Sequence, residues 1–174
     1  AGRPEEAIRY WESQPLEDPE LQAEAGFSIY DAVYFERGYC EEVELLLDRL
    51  IELVDAAMGE KGESLPLLNQ AAWFRALRGK DLELALTFAR KAHALECRNQ
   101  AVLNTLGWVH FRRLETKEAF EFLRSAASDP DSLDQLCDEA GEEFDLLSHL
   151  GLRSPSFPPN YAAHNLYLAL AYWE

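Results

Sequence analysis

The stretch Leu103–Arg112 reads LNTLGWVHFR, and it repeats the frame of an earlier stretch, LNQAAWFRAL, at Leu68–Leu77. Both stretches begin with Leu and Asn, and in both a small residue, Gly107 or Ala72, directly precedes a Trp. Self-similarity at a fixed period is the sequence signature of a chain built from copies of one structural unit. The first question is therefore which unit is repeated.

Apolar residues around these stretches recur three and four positions apart, which is typical of amphipathic helices. VELLLDRLIELV, at Val43–Val54, is the clearest case, and alternating strand patterns are absent. Gly and Pro gather between the periodic segments, where they end helices. We therefore predict an all-α fold, with helices near residues 4–14, 19–37, 40–58, 65–78, 82–96, 100–113, 116–127, 132–149 and 160–173.

Small residues repeat together with the tryptophans. Ala119 follows Ala85 by 34 residues, and Trp108 follows Trp73 by 35, which implies one extra residue in the first turn. A small residue before each Trp lets two helices approach closely, and we expect the Ala of the next helix to receive that contact. Two helices of this kind cannot bury their apolar faces alone, so stacking of copies is expected.

Residues 66–128 resemble two tetratricopeptide repeats (TPR), a family whose unit is a helix–turn–helix of 34 residues. The family's turn Gly is present as Gly79 and replaced by Leu114 in the second copy. Its closing Pro is replaced by Cys97 in one copy and moved to Pro130 in the other. The resemblance implies a TPR-like solenoid, an α-α superhelix with a concave groove. The family's small positions are filled by Ala72, Ala85 and Ala92 and by Gly107, Ala119 and Ala126.

The rest of the chain follows the repeat less closely. We expect residues 1–60 to hold degenerate repeats, in which Asp31 stands where a small residue belongs. Residues 129–159 lose the spacing and are interpreted as a non-repeat helical insertion, and residues 160–174 as the start of a further repeat. The whole is expected to be a single helical-repeat domain, residues 1–174, within a longer chain.

The charge is strongly acidic and unevenly distributed. The net charge of −16 is made up of −12 over residues 1–60, +4 over 61–125 and −8 over 126–174. Such a balance opposes nucleic-acid binding, because affinity for phosphates comes from Lys and Arg. No apolar run reaches the roughly 20 residues of a membrane span. The acidic surface is interpreted as a solvated face that also suits basic partners.

Residue patterns for catalysis or metal binding are sparse. Cys40, Cys97 and Cys137 are widely spaced, which indicates neither a disulfide framework nor a zinc site and favours a reducing compartment such as the cytoplasm. His93 and Cys97 offer two metal ligands, fewer than a site needs. Cys137 and His149 lie too far apart along one helix to act as nucleophile and base. His110 and His164 fall on apolar faces and are interpreted as core or groove residues. We expect no enzymatic activity and no cofactor.

Binding to another protein or peptide is better supported. In TPR proteins the first helix of each repeat lines the groove, and an Asn amide there can hold a peptide backbone through its donor and acceptor. Trp and Phe supply apolar anchors, although both Trp side chains have packing within the core as the alternative role. The positions that the resemblance carries over are Asn69, Trp73, Ala76 and Leu77, and Asn104, Trp108, Phe111 and Arg112.

Arginines near these positions raise the question of ligand charge. Arg75, Arg78, Arg112 and Arg113 favour an acidic or C-terminal carboxylate ligand, although the family's full carboxylate clamp is not reproduced. A role in covering apolar surface with their stems is the alternative.

The sequence therefore predicts a non-catalytic scaffold that binds a peptide or partner helix. Three alternatives stay open. One is a regulatory or substrate-recognition module of a larger enzyme of the peptidase or kinase type. Another is an assembly subunit that associates through its ends at residues 1–14 and 160–174, and the third is a small-molecule sensor that uses residues 129–159.

Overall fold

A computed structural model describes residues 4–14 and 16–126 of the chain, and it is helical in these ranges, with no strand. The predicted all-α character is confirmed here, and the predicted helices at 132–149 and 160–173 and the insertion at 129–159 lie outside the described residues. Seven helices are present: α1 Pro4–Ser13, α2 Pro19–Arg37, α3 Glu41–Lys61, α4 Leu65–Arg78, α5 Leu82–Leu95, α6 Gln100–Arg112 and α7 Thr116–Ala126.

Side-chain caps explain where several helices begin. Asp18 accepts a hydrogen bond from the backbone N–H of Glu20, Ser64 accepts one from Leu67, and Asn99 accepts from Ala101 and Val102. Such oxygens satisfy backbone donors that have no partner inside the helix. These three caps start α2, α4 and α6.

Residues with a left-handed backbone end the helices. Gly62 ends α3 with a φ of 82°, and Gly79 ends α4 with a φ of 73°. Leu114, which replaces the turn Gly in the second TPR-like copy, takes a φ of 62°, and its side chain is 87% exposed. The α6–α7 turn therefore keeps the glycine-type backbone although its residue is a leucine, a conformation that costs an L-residue roughly 1–2 kcal/mol.

The chain divides into two compact units, Ala1–Phe88 and Ala89–Glu174. In the first, α1 packs on α2, α2 on α3 and α3 on α4. Aromatic rings connect α2 with α4, since the ring centroids of Phe27 in α2 and Phe74 in α4 are 5.4 Å apart. Phe27 also stacks on Tyr30 of its own helix at 5.5 Å. The largest fully buried side chains of this unit are Phe74, Leu47, Leu50, Leu67, Leu68, Val33, Val43 and Val54.

Trp11 fixes α1 on α2. Its indole Nε1 donates to the carbonyl of Gln22 at 3.0 Å, and Gln22 Nε2 donates to the carbonyl of Trp11 at 3.2 Å. Gln22 Oε1 also accepts from the N–H of Leu16 in the connecting loop, at 2.8 Å. A Cβ on Gly26 would lie 2.4 Å from the indole ring, so α1 can approach this closely only because that residue is glycine.

The described part of the second unit is built around the α6–α7 hairpin. A Cβ on Gly107 would lie 2.5 Å from Cγ of Leu123, a leucine with no exposed surface. The close approach expected at this small residue is therefore present, and Leu123 is what fills it. Ala119, which was expected to receive the contact, is also fully buried in α7.

Helix ends differ from the predicted ones mainly in α3, which was expected to end near residue 58. Instead α3 continues through Gly59 and ends at Lys61, because Gly62 takes the positive φ and its N–H bonds to the carbonyl of Met58 at 2.9 Å. Lys61 then binds Asp18 at 2.6 Å and Glu20 at 2.8 Å. The extra turn thus links the end of α3 to the start of α2.

Candidate functional site

Eight groove positions were carried over from the resemblance, and one of them, Ala76, has no exposed surface and cannot line a groove. The other seven lie on two helices. Asn69, Trp73 and Leu77 are four residues apart and share one face of α4, in the first unit. The corresponding residues of α6, in the second unit, are Asn104, Trp108, Phe111 and Arg112. We name the first set the α4 face and the second set the α6 face.

The α4 face carries an amide with an unmet hydrogen bond. The Oδ1 atom of Asn69 is buried and has no hydrogen-bond partner among the described residues. Asn69 and Leu77 are half-buried, whereas Trp73 is only 9% exposed. The indole is thus mainly a packing group, as the alternative role predicted, and the amide is the polar feature of this face.

The α6 face is more fully packed. Asn104 is 9% and Trp108 8% exposed, and the indole of Trp108 stacks on Phe111 with ring centroids 4.9 Å apart. Phe111 and Arg112 are half-buried. The ring of Trp108 in this stacked pair therefore lies mostly inside the protein, and Phe111 is the more exposed of the two.

Arg75 forms an ion pair inside the first unit. Its side chain is buried, and Nη2 donates to both carboxylate oxygens of Asp55 at 2.8 and 2.7 Å. Nη1 donates to the carbonyl of Ala71 at 3.1 Å, and the guanidinium lies 5.2 Å from the ring centroid of Phe88. The expectation that this residue favours an acidic ligand is not supported, because its charge is used inside the unit.

Arg78 is neutralised in the same way at the end of α4. It binds Glu44 and Asp48 of α3, both at 3.1 Å, and Lys80 reaches Asp48 at 2.8 Å. Burial alone would raise the pKa of Asp48, but hydrogen bonds from Lys80 and Arg78 outweigh it and hold this pKa below its usual value. Burial alone would lower the pKa of Arg78, but hydrogen bonds with Asp48 and Tyr39 and the charges of Asp48 and Glu44 raise it above its usual value.

Arg113 lies in a third internal ion pair, at the α6–α7 turn. It donates to Glu115 at 2.9 Å, and Nδ1 of His110 lies 2.6 Å from the same carboxylate. Hydrogen bonding from Arg113, opposed by partial burial and reinforced by His110, lowers the pKa of Glu115. His110 is buried and stacks on Phe122 at 5.4 Å, the core role that its apolar helix position predicted.

Two kinds of residue in and around the α4 face were not identified from the sequence. Gln70, beside the α4 face, also has a buried oxygen, Oε1, without a hydrogen-bond partner in the described part of the chain. The acidic residues of α3 that pair with Arg75 and Arg78 of α4 were not identified either. Glu44, Asp48 and Asp55 recur four and seven residues apart and so share one face of α3, but this spacing does not show which cations they bind.

The weak metal candidates gain nothing from the structure. His93 packs edge-on against Phe122 at 5.8 Å, and Cys97 is exposed. Within residues 4–14 and 16–126, no group of three or more metal-ligating side chains comes together. Cys137, His149 and His164 lie outside the described residues. None of the seven described helices is both long enough and apolar enough to cross a bilayer.

No protein-family model, curated protein or solved structure matches the chain.

Proposed function

We propose that the chain is a non-catalytic protein-binding scaffold that holds a peptide or a helix of another protein. In this proposal the helix pairs are copies of one TPR-like unit, stacked as an α-α superhelix with a concave groove. The α4 face and the α6 face bind the partner.

The buried oxygen of Asn69 carries the proposal. Nearly all buried polar atoms in proteins have hydrogen-bond partners, and an unmet one costs about 1–3 kcal/mol. A partner's backbone N–H would supply the missing donor. To reach that N–H the half-buried side chain would turn its amide toward the ligand, and no hydrogen bond to Oδ1 would be broken.

The apolar residues support the amide rather than replace it. Trp73 and Trp108 are buried to more than nine-tenths, so they fix the position of the helix faces that carry Asn69 and Asn104. The half-buried Leu77 of the α4 face and the half-buried Phe111 of the α6 face would each contact apolar side chains of a partner. Amides that can bond any backbone, with a few apolar contacts, suit an extended peptide segment.

A double variant tests the proposal. Proteins recovered from an extract of the producing cells are quantified on immobilised wild type, on Asn69→Ala/Asn104→Ala and on Gln70→Ala/Gln100→Ala. The control removes two amides from the same helices at positions that do not belong to the two faces. Gln70 is next to Asn69 in sequence and also has a buried oxygen without a partner among the described residues, so it tests whether the position on the face matters beyond the unmet hydrogen bond. We expect the Asn variant to bind its partner about tenfold more weakly than wild type and the Gln variant to bind nearly as well.

Circular dichroism shows whether both variants keep the wild-type helix content. Equal recovery of the same partner by wild type and by the folded Asn variant would reject the binding faces.

A further inference from the structure

The charges around the α4 face restrict the ligand that it can accept. α4 contains two cationic residues, Arg75 and Arg78, and both are bound to carboxylates of α3. Redirecting Arg75 toward a ligand would leave a buried guanidinium without its carboxylate and would remove it from the ring of Phe88. An acidic ligand would thus have to compete with pairs that are already formed.

Lys80, which follows α4, is also paired with a carboxylate of α3. Its Nζ lies 2.8 and 3.0 Å from the two oxygens of Asp48, which also binds Arg78. Three cations at and beyond the end of α4 are therefore matched by Glu44, Asp48 and Asp55. Each of these three cations is thus paired with a carboxylate of the first unit, although Nε of Arg75, a buried donor, has no hydrogen-bond partner among the described residues. An anionic ligand would have to displace an existing pair to gain a full ion pair here.

The group that needs a partner on this face is an acceptor. Oδ1 of Asn69 can be satisfied only by an N–H or O–H donor, never by a carboxylate. The charge of the first unit also favours a basic ligand, since residues 1–88 hold 19 acidic against 8 basic residues, a formal charge of −11. Glu52, Glu60 and Glu63 are among its exposed acids. A field of this sign attracts basic segments and repels acidic ones.

We infer that the α4 face binds an extended, positively charged peptide segment, which donates a backbone N–H to Asn69 and makes no use of a C-terminal carboxylate. This inference rests on the proposed function and specifies its ligand.

The test uses a defined probe, the tightest-binding decapeptide selected from a random display library against the full-length protein. The peptide is synthesised with a free and with an amidated C-terminus, and its dissociation constant is measured by fluorescence anisotropy at low and high salt. The proteins are wild type, Asn69→Ala and the neighbouring amide variant Gln70→Ala.

We expect selected peptides to be enriched in Lys and Arg, and amidation to change the dissociation constant by less than about twofold. Asn69→Ala should weaken binding about fivefold to tenfold, the loss of one hydrogen bond, and Gln70→Ala should not. Affinity should fall as salt rises, because charge attraction is screened.

Two outcomes separate the inference from the function beneath it. If the peptides are acidic, or lose binding on amidation, while Asn69→Ala still weakens them, the face binds peptides but the inferred charge is wrong. If no peptide is recovered, or if Asn69→Ala binds every peptide as well as wild type does, both the inference and the α4 face are rejected.

Discussion

Gly107 shows how much of this fold depends on a single missing side chain. The α6–α7 hairpin can close because α7 lies where a Cβ of residue 107 would be, with Cγ of Leu123 at 2.5 Å and its backbone nitrogen at 3.0 Å. The sequence identified this position correctly, since a small residue before each Trp predicted a close helix contact. It did not identify Gly26, where Trp11 makes an equally close approach, because no repeat marks that position.

Replacement of Gly107 tests this packing. Gly107→Ala should lower the free energy of unfolding by about 1–3 kcal/mol through overpacking, although alanine is the better helix former. The measurement is urea denaturation followed by circular dichroism.

Gly59→Ala is the matched control for Gly107→Ala, because Gly59 also lies inside a helix but a Cβ there would meet nothing within 4 Å. It should stabilise the protein by up to about 1 kcal/mol through helix propensity. A Gly107→Ala protein as stable as wild type would show that α7 can shift at no cost.

At the scale of the elements, the helices were the most predictable part of the molecule. Periodicity and Gly or Pro punctuation placed all seven described helices, and apart from the end of α3 their predicted ends agree within about a residue. Gly59 was interpreted as a helix end, yet the helix continues because the next glycine, Gly62, takes the left-handed conformation.

The ion pairs between helices were not predictable from spacing. Arg75 and Asp55 are 20 residues apart in sequence, and nothing in the local pattern shows that their helices bring them to 2.7 Å. From the sequence, the arginines therefore favoured an acidic ligand, with covering of apolar surface as the alternative. Similarly, Asn69 was identified as a polar residue of the face, but that its oxygen has no partner could be seen only once the neighbouring helices were in place.

The cluster at the α6–α7 turn predicts a pH dependence of stability. Arg113 and His110 lower the pKa of Glu115 in the folded protein. The carboxylate therefore stabilises the fold fully at pH values above 4.5, its usual pKa, and this stabilisation is lost as the pH falls through the lower pKa of the folded state. Glu115→Gln should lower the free energy of unfolding by on the order of 1 kcal/mol at neutral pH. The effect is this small because the side chain of Glu115 is 34% exposed and water screens its ion pair.

The difference in the free energy of unfolding between wild type and Glu115→Gln should become smaller as the pH falls below 4.5. Chemical denaturation over a pH series measures it, with Glu121→Gln, an exposed acid on α7, as the control. A difference that stays constant down to the acid limit would show that the ion pair does not stabilise the turn.

At the scale of the whole molecule, charge is the dominant property. A net charge of −16 makes two copies repel each other, and the proposed scaffold acts as one chain. The alternative of an assembly subunit requires the opposite behaviour.

Light scattering over a wide concentration series at physiological salt should therefore give the mass of a single chain throughout. Repetition at high salt, where repulsion is screened, serves as the control. A mass that rises with concentration at physiological salt would favour the assembly subunit instead.

The three described tryptophans also make the two units optically distinguishable. Trp11 and Trp73 are 6% and 9% exposed in the first unit, and Trp108 is 8% exposed in the second. Indoles shielded from water emit at shorter wavelength than hydrated ones, so unfolding near each of them shifts its fluorescence to the red. Variants that retain one of these indoles, with the other three tryptophans of the chain replaced by phenylalanine, would report separately on the melting of the α1–α4 region and of the α6–α7 hairpin.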